Sequence, residues 1–201
     1  MTHVETGQRP VLGDFYRVGR AHLASFDLSM PRIFPGRFTA KFDQPFVIFL
    51  IGMRINQLWA FHKWVPVASA MPRMLQLLAG NPAKGLLGVH TWMRWREVLA
   101  VQYWRSFEDL ENFARRPSEP HLQVWKDFNQ RVGSDGSVGI WHETYMVNAR
   151  QYECVYANMP LFGLAAATSQ VAAVGNRETA RLRMGGQSEP AVPSPLQPPE
   201  S

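Results

Sequence analysis

The sequence predicts an α+β domain whose elements follow the order β-α-β-β-α-β. Apolar runs of strand length alternate with stretches that carry apolar residues at helical spacing. Two of these runs lie only two or three residues apart, which indicates a β-hairpin. Because 46% of the 201 residues are apolar, the chain can bury a substantial core.

The first strand is predicted over residues 46–54 and the first helix over residues 57–79. The strand segment (FVIFLIGMR) is apolar up to its last residue, as in a strand that is covered on both faces. The helix segment carries apolar residues three and four positions apart. Pro66 and Pro72 are expected to kink or divide this helix, and Gly80 begins the turn that ends it.

The hairpin consists of strands predicted over residues 85–94 and 97–104. A helix in two parts follows over residues 106–132, because a segment with two prolines interrupts its apolar spacing. Ser106 and Asp109 at its start resemble a capping box, with Asp in place of the usual Glu.

The last strand is predicted over residues 140–147, after a glycine-rich turn. The resulting order is that of a ferredoxin-like domain, a four-stranded antiparallel sheet with two helices on one face. Val47 and Phe49 alternate with Ile48 and Leu50, so both faces of the first strand are apolar. The face without helices therefore needs a second cover, and we expect a homodimer through the sheet to supply it.

The two ends of the chain differ from the middle. Residues 1–34 show no clear period and are predicted to be an N-terminal arm before a domain over residues 35–167. Residues 168–201 are predicted to be a disordered tail. The part from Gln187 onward is rich in proline and serine and has no aromatic residue, so it cannot offset its ordering entropy by burial.

Composition and charge argue against several classes of protein. The net charge is +5, but the basic residues are scattered and form no run, which argues against nucleic-acid binding. The only cysteine, Cys154, cannot form an intramolecular disulfide. No secretory signal is evident at the N-terminus, and the longest apolar run, Phe46–Met53, is too short to span a membrane. We therefore expect a cytoplasmic protein with no membrane span.

Two sequence patterns that resemble functional motifs are rejected. His142 and Glu143 begin the zinc-binding pattern HExxH, but the chain has Met146 where the second histidine is required. The glycines spaced by three between residues 133 and 139 follow a helix and precede a strand, the reverse of a dinucleotide-binding turn. Neither a metal site nor a nucleotide site is therefore predicted.

The candidate site residues are histidines and aromatic residues on predicted inward faces. His121 shares a helix face with Trp125 and Phe128, where a titratable ring would lie beside apolar neighbours. A packed structural histidine explains the same pattern. His142 or Glu143 could also line a pocket, because the sequence does not determine which face of their strand looks inward.

A second group of candidates lies on the predicted strands. Arg54 ends an otherwise apolar strand, either as a solvated terminus or as an anchor for an anion. Gln102 and Tyr103 lie inside an apolar strand, where a polar side chain needs a partner. They form an interface hydrogen bond or contact a substrate, and Trp104 beside them is a further candidate substrate contact.

Three segments of the chain resemble a known family. The strings FVIFLIGMRIN (46–56), VQYWRSFEDLE (101–111) and VGIWHETY (138–145) resemble the monooxygenase-like family of the fumagillin-pathway monooxygenase. That family is similar in turn to the antibiotic-biosynthesis monooxygenases. The resemblance covers about residues 35–165 and implies a dimeric α/β barrel. It also implies oxidation by O2 in a pocket between sheet and helices, often without metal, haem or flavin.

These observations favour an oxygen-dependent monooxygenase that acts on an apolar small molecule and needs no cofactor. His121 or His142 would be the base, and Arg54 and Gln102 would hold the developing anion. The first alternative is a haem enzyme on the same barrel, with a histidine as axial ligand. The second is a non-catalytic ligand-binding or stress-response module, because one fold serves many functions.

Overall fold

The structure, a computed structural model, describes residues 31–116 and 120–187. These residues form two antiparallel sheets, three longer helices and two short ones. In chain order the elements are β1 (Ile33–Ala40), β2 (Phe46–Ile55), α1 (Phe61–Ala79), β3 (Leu86–Arg94), β4 (Glu97–Trp104), α2 (Phe107–Arg115), α3 (Pro120–Arg131), β5 (Val138–Val147), β6 (Tyr156–Pro160), α4 (Gly163–Ala167), β7 (Gln170–Ala172) and α5 (Ala180–Arg183).

The main sheet has the strand order β3-β4-β2-β5, and all neighbouring strands are antiparallel. Helix α1 connects β2 to β3, and helices α2 and α3 connect β4 to β5. Val47 and Trp104 on the sheet pack against apolar side chains of α1 and α2, and Met53 packs against Phe128 of α3. All three helices thus cover one face of the sheet. The predicted α+β class with antiparallel strands is confirmed.

Helix α1 is not divided by its prolines. It runs as one α-helix through both Pro66 and Pro72. Each proline removes one backbone hydrogen bond, but the second half of the helix buries Met74, Leu75 and Leu78 against the sheet. This packing offsets the lost bonds. The predicted cap of α2 is present, since the side chain of Ser106 accepts a hydrogen bond from the backbone N–H of Asp109 at 3.1 Å.

A small second sheet, with the order β6-β1-β7, was not predicted from the sequence. Strand β1 starts at Ile33, inside the predicted N-terminal arm. Strand β7 and helix α5 lie inside the predicted disordered tail, which corrects that prediction for residues 170–183. These segments are ordered because β1 pairs with β6 along one edge and with β7 along the other. Ala173, which follows β7, is also buried, with 1% exposure. The rest of the predicted arm and tail, residues 1–30 and 188–201, lies outside the described residues.

The small sheet and α4 cover part of the face opposite the helices. Phe46 of the main sheet packs there with Ala40 and Leu164. A Cβ atom on Gly88 would lie 2.8 Å from the Cβ of Ala167, so only glycine allows α4 to approach β3 this closely. The chain itself therefore covers part of the sheet face that was expected to be covered by a second copy. No helix in the described ranges is long and apolar enough to span a membrane.

Candidate functional site

A cavity of about 710 Å³, partly open to solvent, lies between the main sheet and helices α1, α2 and α3. This volume is typical of sites for small organic molecules. Most of its lining is apolar, including Phe49, Ile51, Met53, Met71, Met74, Val98, Ala100, Phe113 and Ile140. The polar side chains that line it are few: Gln102, Glu111, Arg115, His121, His142 and Thr144, together with the indole of Trp104.

The register of the sheet determines which strand residues face the cavity. Residues directly opposite each other on paired strands share a face. Phe49 pairs with Gln102 on one side and Thr144 on the other, and Ile51 pairs with His142. His142 therefore lies on the helix-covered face, whereas Glu143 lies on the opposite face. Of these two residues, His142 is therefore the one that looks inward, which the sequence did not determine.

Gln102 is a buried amide whose acceptor is already satisfied. Its side chain is 4% exposed, and its Oε1 accepts a hydrogen bond from Nε1 of Trp104 at 2.9 Å. Its Nε2 lies 3.9 Å from the sulfur of Met71, which is a weak acceptor. Because the NH2 group has two donors, Gln102 can donate a hydrogen bond to an oxygen of a bound molecule.

His121 has one ring nitrogen fixed by the backbone. Its Nδ1 lies 3.1 Å from the carbonyl oxygen of Ala114. A carbonyl oxygen only accepts, so Nδ1 carries the hydrogen and the Nε2 of the neutral ring has a free lone pair. The ring also lies 6.1 Å from that of Phe113, in the wall of the cavity. The Nε2 atom of His121 can therefore accept a proton.

Several exposed residues that line the cavity lie on α3 and on the edge strand β5. Trp125 on α3 is 47% exposed and stacks on Phe128, with 5.6 Å between ring centroids. His142 and Thr144 on β5 are also exposed, although both line the cavity. The ring of His142 lies 5.6 Å from that of Phe49.

Two predicted site residues lie away from the cavity. Arg54 forms an ion pair with Glu97 at the solvated end of β2. Tyr103 points to the opposite face and packs near Phe46, and burial raises the pKa of its phenol. The other six predicted residues line the cavity together: His121, His142, Gln102, Trp104, Trp125 and Phe128.

Sequence reasoning missed the contribution of α1 and α2 to the cavity. Met71 and Met74 carried only the apolar spacing of a core helix, which does not distinguish a cavity wall from a packed core. Glu111 and Arg115 also line the cavity and form an ion pair of 2.9 Å one turn apart on α2. The i,i+4 spacing of these two residues in the sequence could have indicated that they pair on one face of a helix. In the described part of the chain, no group of three His, Cys, Asp or Glu side chains could hold a metal ion.

The fold and the site define an α+β protein with an apolar cavity between an antiparallel sheet and its helices. The model of the family described as monooxygenase af470-like matches residues 46–164, so the chain belongs to that family. The chain is similar to monooxygenase af470 of Aspergillus fumigatus, with 27% identity over 120 residues. The match spans 56% of this chain but only 42% of that protein.

One solved structure supports the fold. The crystal structure of the aldoxime dehydratase OxdRE in complex with butyraldoxime matches 78% of this chain and 44% of its own, with a TM-score of 0.54 and 13% identity. SnoaB, a cofactor-independent oxygenase from Streptomyces nogalater, matches 50% of this chain and 90% of its own, with a TM-score of 0.36 and 12% identity. The first similarity shows a shared fold, and the second is too weak to carry an argument.

Proposed function

We propose that this chain is an oxygen-dependent monooxygenase that oxidises an apolar small molecule inside the cavity. The observation that carries the proposal is an apolar cavity of about 710 Å³ with a few placed polar groups, in a member of a monooxygenase-like family. Apolar walls bind an apolar substrate and exclude water, while the polar groups orient it.

The proposed reaction uses the substrate itself as the reductant. A base removes a proton from an acidic CH2 group, and the carbanion passes one electron to O2. The resulting radical pair joins as a peroxide, which takes up a proton and loses water to leave a ketone. One CH2 group and one O2 give one C=O group and one water, so no external reductant or cofactor is required.

His121 is proposed as the base and Gln102 as the anion stabiliser. His121 offers a free lone pair on Nε2, and its Nδ1–H bond to Ala114 strengthens when the ring becomes cationic. A carboxylate would need a large upward shift of its pKa to act near neutral pH, whereas an imidazole does not. Gln102 donates from Nε2 to the oxygen on which the negative charge collects. His142 is the second candidate, on the exposed edge strand.

The reaction is tested by oxygen uptake with an electron-rich apolar probe. A tricyclic anthrone is suitable because its CH2 group is acidified by the flanking rings. With ¹⁸O2, the product should carry one ¹⁸O atom. His121→Gln should lower turnover by on the order of 10²-fold or more, because glutamine cannot accept the proton. His62→Gln is the matched control, since His62 is exposed on α1 and does not line the cavity.

The same measurements separate the alternatives. Full oxygen uptake by His121→Gln would show that His121 is a packed structural histidine, and His142 would then become the candidate base. A strong Soret band in the purified protein would replace the cofactor-free proposal with the haem alternative. Binding of a panel of anthrones and phenols without any oxygen uptake would favour a ligand-binding module.

A further inference from the structure

One end of the main sheet carries several large apolar side chains that are almost fully exposed. We call this end the aromatic tip, and define it as loop residues 56–60 before α1 together with residues 93–96, which are the end of β3 and the turn to β4. Trp95 is 85% exposed, Met93 83% and Trp59 75%. Phe61, at the start of α1 beside this loop, is 64% exposed. Surface residues of this size and exposure, when clustered, indicate an interaction site.

The two parts of the aromatic tip are fixed to each other. The backbone N–H of Ile55 donates to the carbonyl oxygen of Arg96 at 2.8 Å, and Nε of Arg96 donates to the carbonyl oxygen of Ile55 at 2.7 Å. The same guanidinium also donates to the carbonyl oxygen of Asn56. The indole N–H of Trp64 donates to the carbonyl oxygen of Leu58 at 3.0 Å. The exposed rings are therefore presented by a well-bonded backbone.

The charge at this end of the sheet is positive. The carboxylate of Glu97 is paired with Arg54, and that of Asp135 with Lys63, whose hydrogen bond lowers the pKa of the aspartate. Among the described residues of these loops and strand ends, that pairing leaves the guanidinium groups of Arg94 and Arg96 uncompensated by acidic side chains. Arg94 is exposed beside Trp95. The aromatic tip therefore combines projecting aromatic side chains with net positive charge.

We propose that the aromatic tip docks on the surface of a lipid bilayer that contains anionic lipids. Indole rings favour the headgroup region, where their apolar body is buried and their N–H stays hydrated. Arg94 and Arg96 would lie at the level of the lipid phosphates and be attracted to them. Two projecting turns suit a soft, fluid surface better than a shaped protein groove. The docking does not depend on the proposed oxidation, although an apolar substrate would partition into the same bilayer.

Sedimentation of the full chain with vesicles tests this inference. Binding should be strong to vesicles of phosphatidylcholine with phosphatidylserine and weaker to phosphatidylcholine alone, and it should decrease as salt rises. Trp59→Ser combined with Trp95→Ser should lower the partition coefficient by on the order of tenfold or more. Arg94→Glu should lower binding to the anionic vesicles only.

The matched control replaces two exposed valines near the small sheet, Val155→Ser and Val174→Ser, at a distance from the aromatic tip. It should bind vesicles as the unaltered chain does. Circular dichroism should show that all variants remain folded, because every substituted side chain is exposed. Nitroxide-labelled lipids should quench the tryptophan fluorescence of the unaltered chain more than that of the double tryptophan variant.

Three results would overturn the inference. The first is absence of binding to both kinds of vesicle. The second is binding that the double tryptophan variant retains in full. The third is self-association without vesicles that the same variant abolishes, since the aromatic tip would then be a contact between two copies of the chain.

Discussion

The indole of Trp104 depends on a single buried partner, Gln102. Trp104 is 1% exposed and donates its only hydrogen bond to Oε1 of Gln102. Gln102→Leu leaves this donor unsatisfied, so it should lower the free energy of unfolding by about 1–3 kcal/mol. Urea unfolding measures the change.

A double-mutant cycle separates this hydrogen bond from general packing. Trp104→Phe removes the indole N–H, so adding Gln102→Leu to it should cost less than Gln102→Leu alone. Strictly additive effects of the two substitutions would show that the hydrogen bond does not stabilise the fold.

The polar residues of the strands show how much of the candidate site can be predicted from the sequence. Gln102 and Tyr103 were both expected to need partners, but successive strand residues face opposite sides, so only one could face the cavity. The sequence does not say which one. Arg54 could be an anion anchor only if it lacked a counter-charge, and its pairing with Glu97 follows from the register of β2 on β4. Helix α1 and strand β3 lie between β2 and β4 in the chain, so no turn sets the register of this pair.

Helix α4 docks on the main sheet through His90. The backbone N–H of Gly163 donates to Nε2 of His90 at 2.8 Å, and the ring of Phe162 lies 4.3 Å from that of His90. Burial lowers the pKa of His90 from its ordinary value of 6.5. Protonation of Nε2 would also remove the lone pair that accepts the bond from Gly163.

The stability of this docking should therefore decrease in acid. The unfolded chain takes up a proton at His90 near pH 6.5, before the folded chain does. The stabilisation is full above that pH and decreases as the pH falls below it. His90→Gln can still accept from Gly163 but does not titrate, so its unfolding free energy should change less between about pH 7.5 and about pH 5.5. His62→Gln should behave as the unaltered chain, and an equal pH response in His90→Gln would contradict the prediction.

Deletion of residues 169–201 should destabilise the domain, contrary to what the composition of the tail suggests. It removes β7 from the edge of β1 and breaks the ion pair between Glu153 and Arg183, whose side chain is 7% exposed. A loss of about 1 kcal/mol would lower the thermal midpoint by roughly 2–4 °C in a domain of this size. Deletion of residues 188–201, which keeps β7 and α5, is the control. Equal midpoints for the two deletions would show that β7 adds no stability.

The small sheet could not be predicted because its strands lack strand signals. Strand β1 contains Pro35 and Gly36, which usually mark a turn, and its register shifts between Phe34 and Arg37. The side chain of Asn158 accepts a hydrogen bond from the backbone N–H of Gly36 at 2.9 Å. Pairing with distant strands thus overrides weak local propensity. The main sheet was predictable because its strands are long and apolar.

In the whole molecule, part of the main sheet's face opposite the helices is left uncovered by the small sheet. The small sheet covers one part, but Trp141 and Tyr145 on the same face remain exposed, beside half-buried apolar residues such as Leu50 and Val101. Among the described strands, β5 is also an edge strand, and the backbone groups along its outer side pair with none of the others. An apolar face next to a free edge favours pairing with a second copy of the chain.

We therefore predict a homodimer through this face. The unaltered chain should sediment at twice its mass of 22.9 kDa at micromolar concentration. Tyr145→Arg should raise the dissociation constant of the dimer at least about tenfold, because it removes an exposed aromatic ring and its hydrogen bond to Glu143 from the interface. Met146→Arg is the matched control, since Met146 is the next residue on β5, is 76% exposed and faces the opposite side. If Met146→Arg dissociates the dimer and Tyr145→Arg does not, the two copies meet through the helix side of β5. A mass near one chain for the unaltered protein would contradict the predicted homodimer.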